Sequence, residues 1–386
     1  MLLSEDHRAV QDAVRAYVQA EIAPKAAAWD KTHHFPKAEL QGLAALGCYG
    51  VAVPTEWGGA GLDYLALAII IEEIAAGDGA TSTVVSVNNC PVCSILMAWA
   101  SDAQKAQWLA PLARGDWLGA FCLTEPHAGS QADGLKTTAR LVKSRGGAAG
   151  AEGDTYVLDG VKQFITSGKN GDVAVVMAVT DKAAGKRGIS AFIVPTSTPG
   201  YTVARVEDKL GQHASDTAQI LFENCRVPAA NLLGQEGQGL KIALSGLEGG
   251  RIGIASQSVG MARAAFEAAL TYSKQREAFG KPIFEHQAVQ FRLADMATRI
   301  EAARQLIHHA ASLKDAGVPC LKEAAMAKLF ASEMAERVCS AALQVFGGYG
   351  YVSDFPVERI YRDVRVCQIY EGTSDVQKIL IGRALA

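Results

Sequence analysis

Tyr156-Val157-Leu158-Asp159-Gly160-Val161-Lys162-Gln163-Phe164 sets Asp-Gly between two β-rich runs, the pattern of a tight hairpin. Further short β-type runs follow at 173–179, 189–194, 201–206 and 220–227, so an all-β domain is expected over 119–231. On either side the period changes to three-and-four spacing. Before it, Ala38, Leu40, Leu43, Ala44 and Leu46 carry that spacing, punctuated by Gly47 and by Gly58-Gly59-Ala60-Gly61. After Pro228, Val289, Leu293, Met296, Ile300 and Ile307 share one stripe that Gly317 ends, and residues 322–346 make the next helix before Gly347-Gly348. The expectation is an α+β multidomain fold. It has an N-terminal α-helical domain (1–118), a β-barrel-like or sandwich domain (119–231) and a C-terminal antiparallel four-helix bundle (232–386). Arg145-Gly146-Gly147-Ala148-Ala149-Gly150 reads as a small-residue loop tip between strands.

A chain of 386 residues is long enough for two or three domains with sizeable cores. With 37 Lys+Arg against 40 Asp+Glu and no long like-charge block, it carries no electrostatic footprint for nucleic acid or an anionic membrane. Its start, Met1-Leu2-Leu3-Ser4-Glu5-Asp6, places acids where an export signal needs basic residues. The apolar run at 64–71 is interrupted by Glu72-Glu73 and is too short to span a bilayer. Eight scattered cysteines suit a reducing compartment, so a bacterial cytoplasm, or the mitochondrial matrix for a processed form, is expected. Cys90-Pro91-Val92-Cys93 lacks a second such pair and sits among apolar residues, which favours packing over metal or redox chemistry. The pairs His33-His34 and His308-His309 point apart and lack partner carboxylates at ligand spacing, so no metal is expected.

The chemistry concentrates in Gln368-Ile369-Tyr370-Glu371-Gly372-Thr373-Ser374-Asp375. Ser374 and Gln377 have the spacing of a capping box, with Val376, Ile379 and Leu380 opening the apolar face behind them. Glu371 is thereby presented from a short loop braced on a helix start, as a general base is mounted, and Gly372 permits close backbone approach to a ligand. Standing alone, such a residue is equally a solvated loop carboxylate. No Gly-x-Gly-x-x-Gly follows a strand and no Walker pattern occurs, which argues against a Rossmann site.

Two blocks supply context: Gln344-Val345-Phe346-Gly347-Gly348-Tyr349-Gly350-Tyr351-Val352-Ser353-Asp354, and Phe121-Cys122-Leu123-Thr124-Glu125-Pro126-His127-Ala128-Gly129-Ser130. With Glu371 they resemble the two signatures of the acyl-CoA dehydrogenase family, and the resemblance runs essentially end to end. Residues 250–255 and 276–281 look most like its short-chain and short/branched-chain members. The first signature normally continues Gly-Ser-Asp; here Ser130 is followed by Gln131, with Asp133 two places on.

That resemblance implies FAD held between the β domain, the bundle and a neighbouring subunit of a homotetramer built as a dimer of dimers. Phe121, Leu123, Thr124 and Ser130 would border the flavin, and Phe164, Ile165 and Thr166 would stack on it and reach N5, with Phe164 where relatives often carry Trp. Arg276, Phe279, Gln287, Gln344, Gly347 and Gly348 would contact the cofactor of the adjacent subunit, and Thr373 and Asp375 would add groups from a helix start. Ser130, Glu248, Arg251 and Gly372 would face an acyl-CoA substrate. Glu371 would take the α-proton while a β-hydride leaves to flavin N5, its own N–H helping to hold the thioester oxygen. An ordinary Glu, with a pKa of about 4.3, is too weak a base for this unless desolvated. Relatives that carry the base directly before the arginine have it where this chain has Gly250. The paired Gly249-Gly250 suggests close approach of something to that helix. Electrons would pass to electron-transferring flavoprotein, in fatty-acid β-oxidation or branched-chain amino-acid degradation. Alternatives are an acyl-CoA oxidase, usually a longer chain, and a non-catalytic flavoprotein scaffold. Glutaryl-CoA specificity would want a pocket cation, and no Lys or Arg occurs over 74–104.

Overall fold

The computed structural model describes residues 3–144 and 153–385. The loop tip expected at 145–150 lies outside them. Among the described residues, eight α-helices come first: α1 Glu5–Tyr17, α2 Ala26–Thr32, α3 Lys37–Ala45, α4 Tyr64–Gly77, α5 Gly79–Val87, α6 Ser94–Trp99, α7 Asp102–Gln104 and α8 Ala110–Arg114. Side-chain caps fix several starts: Ser4 accepts from the His7 N–H, Asp63 from Ala66 and Asp78 from Thr81. The apolar run at 64–71 becomes α4, buried on nearly every side between α1 and the later bundle. Arginines meet its two acids: Glu73 pairs with Arg15 and Arg263 at 2.7 Å each, and Glu72 with Arg304 at 2.9 Å. No helix among the described residues is long and apolar enough to cross a membrane.

The middle of the chain holds β1 Gly119–Cys122, β2 Thr138–Val142, β3 Thr155–Thr166, β4 Val173–Val179, β5 Ile189–Pro195, β6 Tyr201–Val206, β7 Thr217–Pro228 and β8 Leu232–Leu233. They form one mixed sheet in the order β6-β7-β3-β2-β4-β5-β8, with β1 parallel to β4. Tyr156, Leu158, Ala174, Val176, Phe192, Ala218, Ile220 and Phe222 meet in one core, so the sheet wraps around a common interior. The other face of β4 and β5 packs on the helices through Val175, Met177 and Ile193.

The hairpin expected at Asp159-Gly160 is absent: both residues lie inside the single strand β3. Gly160 adopts φ +150, and the pairing of β3 with β7 slips between Leu158 and Gly160, so the dipeptide makes a bulge. A side chain at Gly160 would lie 2.5 Å from Thr137 Oγ1, and that close crossing demands glycine whatever the turn preference of Asp-Gly.

The bundle comprises α9 Gly239–Gln275, α10 Gln287–Asp315, α11 Leu321–Phe346 and α13 Ser374–Ala384, with α12 Val357–Val364 beside it. A two-strand ribbon, β9 Glu277–Ala278 and β10 Lys281–Pro282, links α9 to α10. Leu293, Met296, Ile300 and Ile307 of α10 join a core with the alanine-rich stripe of α11 and with Leu65, Ala68 and Ile69 of α4. Buried polar groups tie the three regions together. Asp30 meets His213 at 2.8 Å and Arg362 at 2.7 Å, Arg359 reaches Asp78 at 3.1 Å, and Gln257 donates to Gly79 O at 2.8 Å.

Candidate active site

Glu371 and Gly372 form a left-handed pair, φ +54 and +93, between the turn Arg365–Gln368 and α13. The cap of α13 is Thr373, whose hydroxyl accepts from the Val376 N–H at 3.3 Å; Ser374, expected in that role, already lies in the first turn. Gln377 still reaches back, donating to the carbonyls of Gly372 (2.8 Å) and Glu371 (3.2 Å). Lys328 of α11, fully buried, donates to the same Gly372 carbonyl at 2.7 Å. A Cβ at Gly372 would stand 2.7 Å from Gln377 Nε2, so this glycine makes room for the glutamine.

The Glu371 carboxylate lies against α9 at Gly250, where an added Cβ would sit 2.1 Å from Oε2. Something does approach that helix closely, and it is the carboxylate itself. Although the loop is only half-buried, Oε2 is buried and has no hydrogen-bond partner among the described residues. Burial pushes the Glu371 pKa up to about 7, against the opposing pull of Arg251 and Lys328. Arg251 is itself buried, with Nε and Nη1 unpartnered, and desolvation lowers its pKa. A carboxylate with an idle lone pair and a pKa near neutrality can take a proton from a bound carbon acid. Glu248, one turn earlier on α9, is instead paired with Lys314 at 3.0 Å.

Phe164 is the second unusual residue. It occupies φ +59 within a register slip of β3 and leaves 63% of its surface exposed, although an aromatic in that backbone region costs about 1–2 kcal/mol. Thr166, two residues on, is half-buried on the same strand, while Ile165 turns into the β core. The segment after β1 lies alongside: the Gln163 N–H donates to Thr124 O at 2.8 Å, and Lys162 Nζ to Leu123 O at 3.1 Å and Glu125 Oε1 at 2.8 Å. Phe121 and Thr124 are part-exposed there, Leu123 packs inward, and Ser130 lies on the exposed loop beyond.

A second group gathers at the ends of the bundle helices. Arg276 caps α9 and sets its guanidinium over Tyr349 at 5.9 Å; Phe279 is 97% exposed at φ +54; Gln287 opens α10 and Gln344 sits near the end of α11. Gly347 takes φ +60, yet a Cβ there or on Gly348 would meet nothing within 4 Å, so neither is crowded by its own chain. This group is not joined to Glu371. Arg276 is separated from Gly250 by nearly the rest of α9, about 39 Å at 1.5 Å per residue. Thr373 stays with Glu371, while Asp375 is exposed near Lys378.

Lys328 escaped the sequence reading, and Gln377 was read only as part of a helix cap. The available signal was a lysine on the stripe Ala324, Ala327, Ala331 of an amphipathic helix, where a charge is necessarily buried. A cavity of about 430 Å³ lined by His33, Lys169, Glu207 and His213 contains neither Glu371 nor the residues grouped around Phe164 and Arg276. His33, Asp208 and His213 bring ligand atoms within 4.8 Å of one another there, but His213 Nδ1 is on Asp30 and Nε2 on the Lys209 carbonyl at 2.6 Å. Cys90 and Cys93 are buried, and burial raises both thiol pKa values, to about 11 for Cys90. Cys93→Ala should therefore leave turnover within a few-fold of the parent, with melting temperature as the companion measurement. Loss of most activity in a folded, flavin-loaded variant would contradict a packing role.

Three family models match in succession: acyl-CoA dehydrogenase, N-terminal domain (4–116), middle domain (120–225) and C-terminal domain (237–386). The human mitochondrial short-chain specific acyl-CoA dehydrogenase is 47% identical over 379 residues, covering 98% of this chain and 90% of that protein. Butyryl-CoA dehydrogenase from Megasphaera elsdenii is 41% identical at TM-score 0.95, with 100% of this chain and 99% of that one covered. A chain from an Acidaminococcus fermentans structure concerned with electron transferring flavoprotein and flavin-based electron bifurcation is 45% identical, also at TM-score 0.95, covering 100% and 99%. With all three domain types matched in order, and with relatives of this identity along nearly the whole length, the chain belongs to the acyl-CoA dehydrogenase family.

Proposed function

We propose that the chain is an FAD-dependent dehydrogenase of short-chain acyl-CoA thioesters that passes electrons to electron-transferring flavoprotein. The observation that carries this reading is the Glu371 carboxylate, set against Gly250 with a buried, unpartnered oxygen and a pKa near 7. Glu371 takes the α-proton of the thioester, and its backbone N–H holds the thioester oxygen as charge develops there. Arg251 and Lys328 stabilise the ionised carboxylate before the transfer. Phe164, an exposed aromatic face at a strained backbone position beside Thr166, fits a planar isoalloxazine, and Thr124 lies along the same strand edge. When bound, FAD supplies the acceptor for the β-hydride.

A short acyl chain is favoured by the approach of α9 to α6 and the segment before it. A Cβ at Gly246 would lie 2.6 Å from Ile95, and one at Gly249 would lie 2.9 Å from Cys90 Sγ. Little length is left there for an extended alkyl chain. Anaerobic butyryl-CoA should bleach the flavin absorbance quickly and octanoyl-CoA slowly. A flavin-loaded protein that no acyl-CoA from four to eight carbons reduces would overturn the proposal.

The distance between the two groups of residues supports a cofactor shared between subunits: Arg276, Phe279, Gln287, Gln344, Gly347 and Gly348 serve a partner's FAD, in a homotetramer built as a dimer of dimers. Arg276→Ala removes a charge-assisted contact to pyrophosphate and should weaken FAD retention about tenfold or more, measured as flavin-to-protein ratio after dilution. Unchanged retention would count against the shared site. Eight free, buried thiols suit a reducing compartment and favour a bacterial cytoplasm.

A further inference from the structure

Two lysines in the described structure have no measurable exposure, and they are not equivalent. Lys162 is answered by Glu125 at 2.8 Å. Lys328 has no carboxylate at ion-pairing distance among the described residues; its one hydrogen bond goes to Gly372 O. An ammonium placed this way is costly, because desolvation is offset only by a carbonyl dipole and by charges further off. Its position is specific nonetheless. The carbonyl it holds belongs to the residue directly after Glu371, and Gln377 holds the same oxygen at 2.8 Å.

We propose that Lys328 is a positioning residue for Glu371, pinning the left-handed Glu371–Gly372 turn so that the carboxylate stays over Gly250, and favouring the ionised carboxylate through its charge. This rests on Glu371 being the base. The groups that face Glu371 are few. Arg251 approaches from α9, Lys328 from α11 and the Cys90 thiol from the segment before α6; Tyr370 precedes it on its own loop, and the Cys367 thiol lies near Lys328. Burial lowers the Lys328 pKa to about 8, so the lysine is cationic where a base of pKa near 7 begins to work. Removing that charge leaves burial opposed by Arg251 alone. The neutral acid is then favoured and the ionisation moves to higher pH.

The test is stopped-flow flavin reduction by butyryl-CoA under anaerobic conditions, from pH 5.5 to 8.0. In Lys328→Met the acid limb of the rate profile should move up by about one unit, which is a tenfold loss on the limb that shrinks toward pH 8. Lys328→Gln keeps a donor without the charge and should shift the limb equally with a smaller loss at pH 8; it also serves if the Met variant does not hold FAD. Lys328→Arg should keep the limb near its parental place. Gln377→Leu removes the other donor but no charge, so it should slow reduction at every pH and leave the limb unmoved. A uniform loss in Lys328→Met and Lys328→Gln with an unmoved limb would reduce Lys328 to core packing and sink the inference, while an inactive Glu371→Gln kept the base assignment standing. Parental rates in Glu371→Gln would bring down both.

Discussion

Glu371→Gln should hold FAD and still bind acyl-CoA, yet show flavin reduction slowed at least about a thousandfold. The amide preserves the volume of the carboxylate over Gly250 and leaves the backbone intact, including the bonds from Lys328 and Gln377 to the Gly372 carbonyl. What it removes is the lone pair that can become a stable O–H. Binding uses the CoA portion, the alkyl pocket and backbone donors, none of which needs the charge. Anaerobic titration with butyryl-CoA separates the two, because a binding perturbation of the flavin spectrum should persist without bleaching. Reduction at near-parental rate would remove Glu371 from the chemistry. In the parent the same group sets the pH dependence: with its pKa raised to about 7, Glu371 is protonated in acid, so reduction should fall as pH drops through neutrality.

The second large effect is expected from one methyl group on the opposite wall. Gly250→Ala places a Cβ 2.1 Å from Oε2, and the atom it meets is the free end of a flexible side chain. The fold therefore survives while the carboxylate swings aside. A displacement of about 1 Å can cost a hundredfold in rate, and a loss of that order is expected with the melting temperature nearly unchanged. Full activity in Gly250→Ala would show that the base works from some other position. The same geometry governs how a base could be moved to position 250. Gly250→Glu cannot be tested in the Glu371→Gln background, where the amide fills the space; it needs Glu371→Gly, a change that suits φ +54. The double variant should recover about tenfold or more over Glu371→Gly alone, limited by imperfect alignment with the α-carbon.

Local pattern carried much of this molecule. The strands at 173–179 and 201–206 were readable to the residue, and α11 to within one, because an unbroken apolar run, an alternating one and three-and-four spacing respectively mark them and their ends. Asp159-Gly160 misled because Asp-Gly reports a preference for turns, while Gly160 is fixed by a contact with Thr137, just ahead of another strand. The cap moved from Ser374 to Thr373 because both hydroxyls are competent and the loop path decides. That Glu371 stood ready in a loop was legible. That its oxygen occupies the missing side chain of a glycine more than a hundred positions earlier was not, since no spacing rule records the distance between an α9 residue and a loop after α12. The distance between Arg276 and Glu371 was hidden for the same reason.

The polar cross-links among the three regions also bear on how a ligand gets in and out. Asp30 holds His213 and Arg362 at once, and Arg359, Asp78 and Asp363 are buried where α12 meets the N-terminal helices. Swinging one domain away from another would strip partners from several buried charges together, at a cost of a few kcal/mol for each. The chain is braced against hinge opening. Access to Glu371 is left to small movements of side chains and exposed loops, so turnover should respond to substitutions beside Glu371 far more than to changes in the connections between domains.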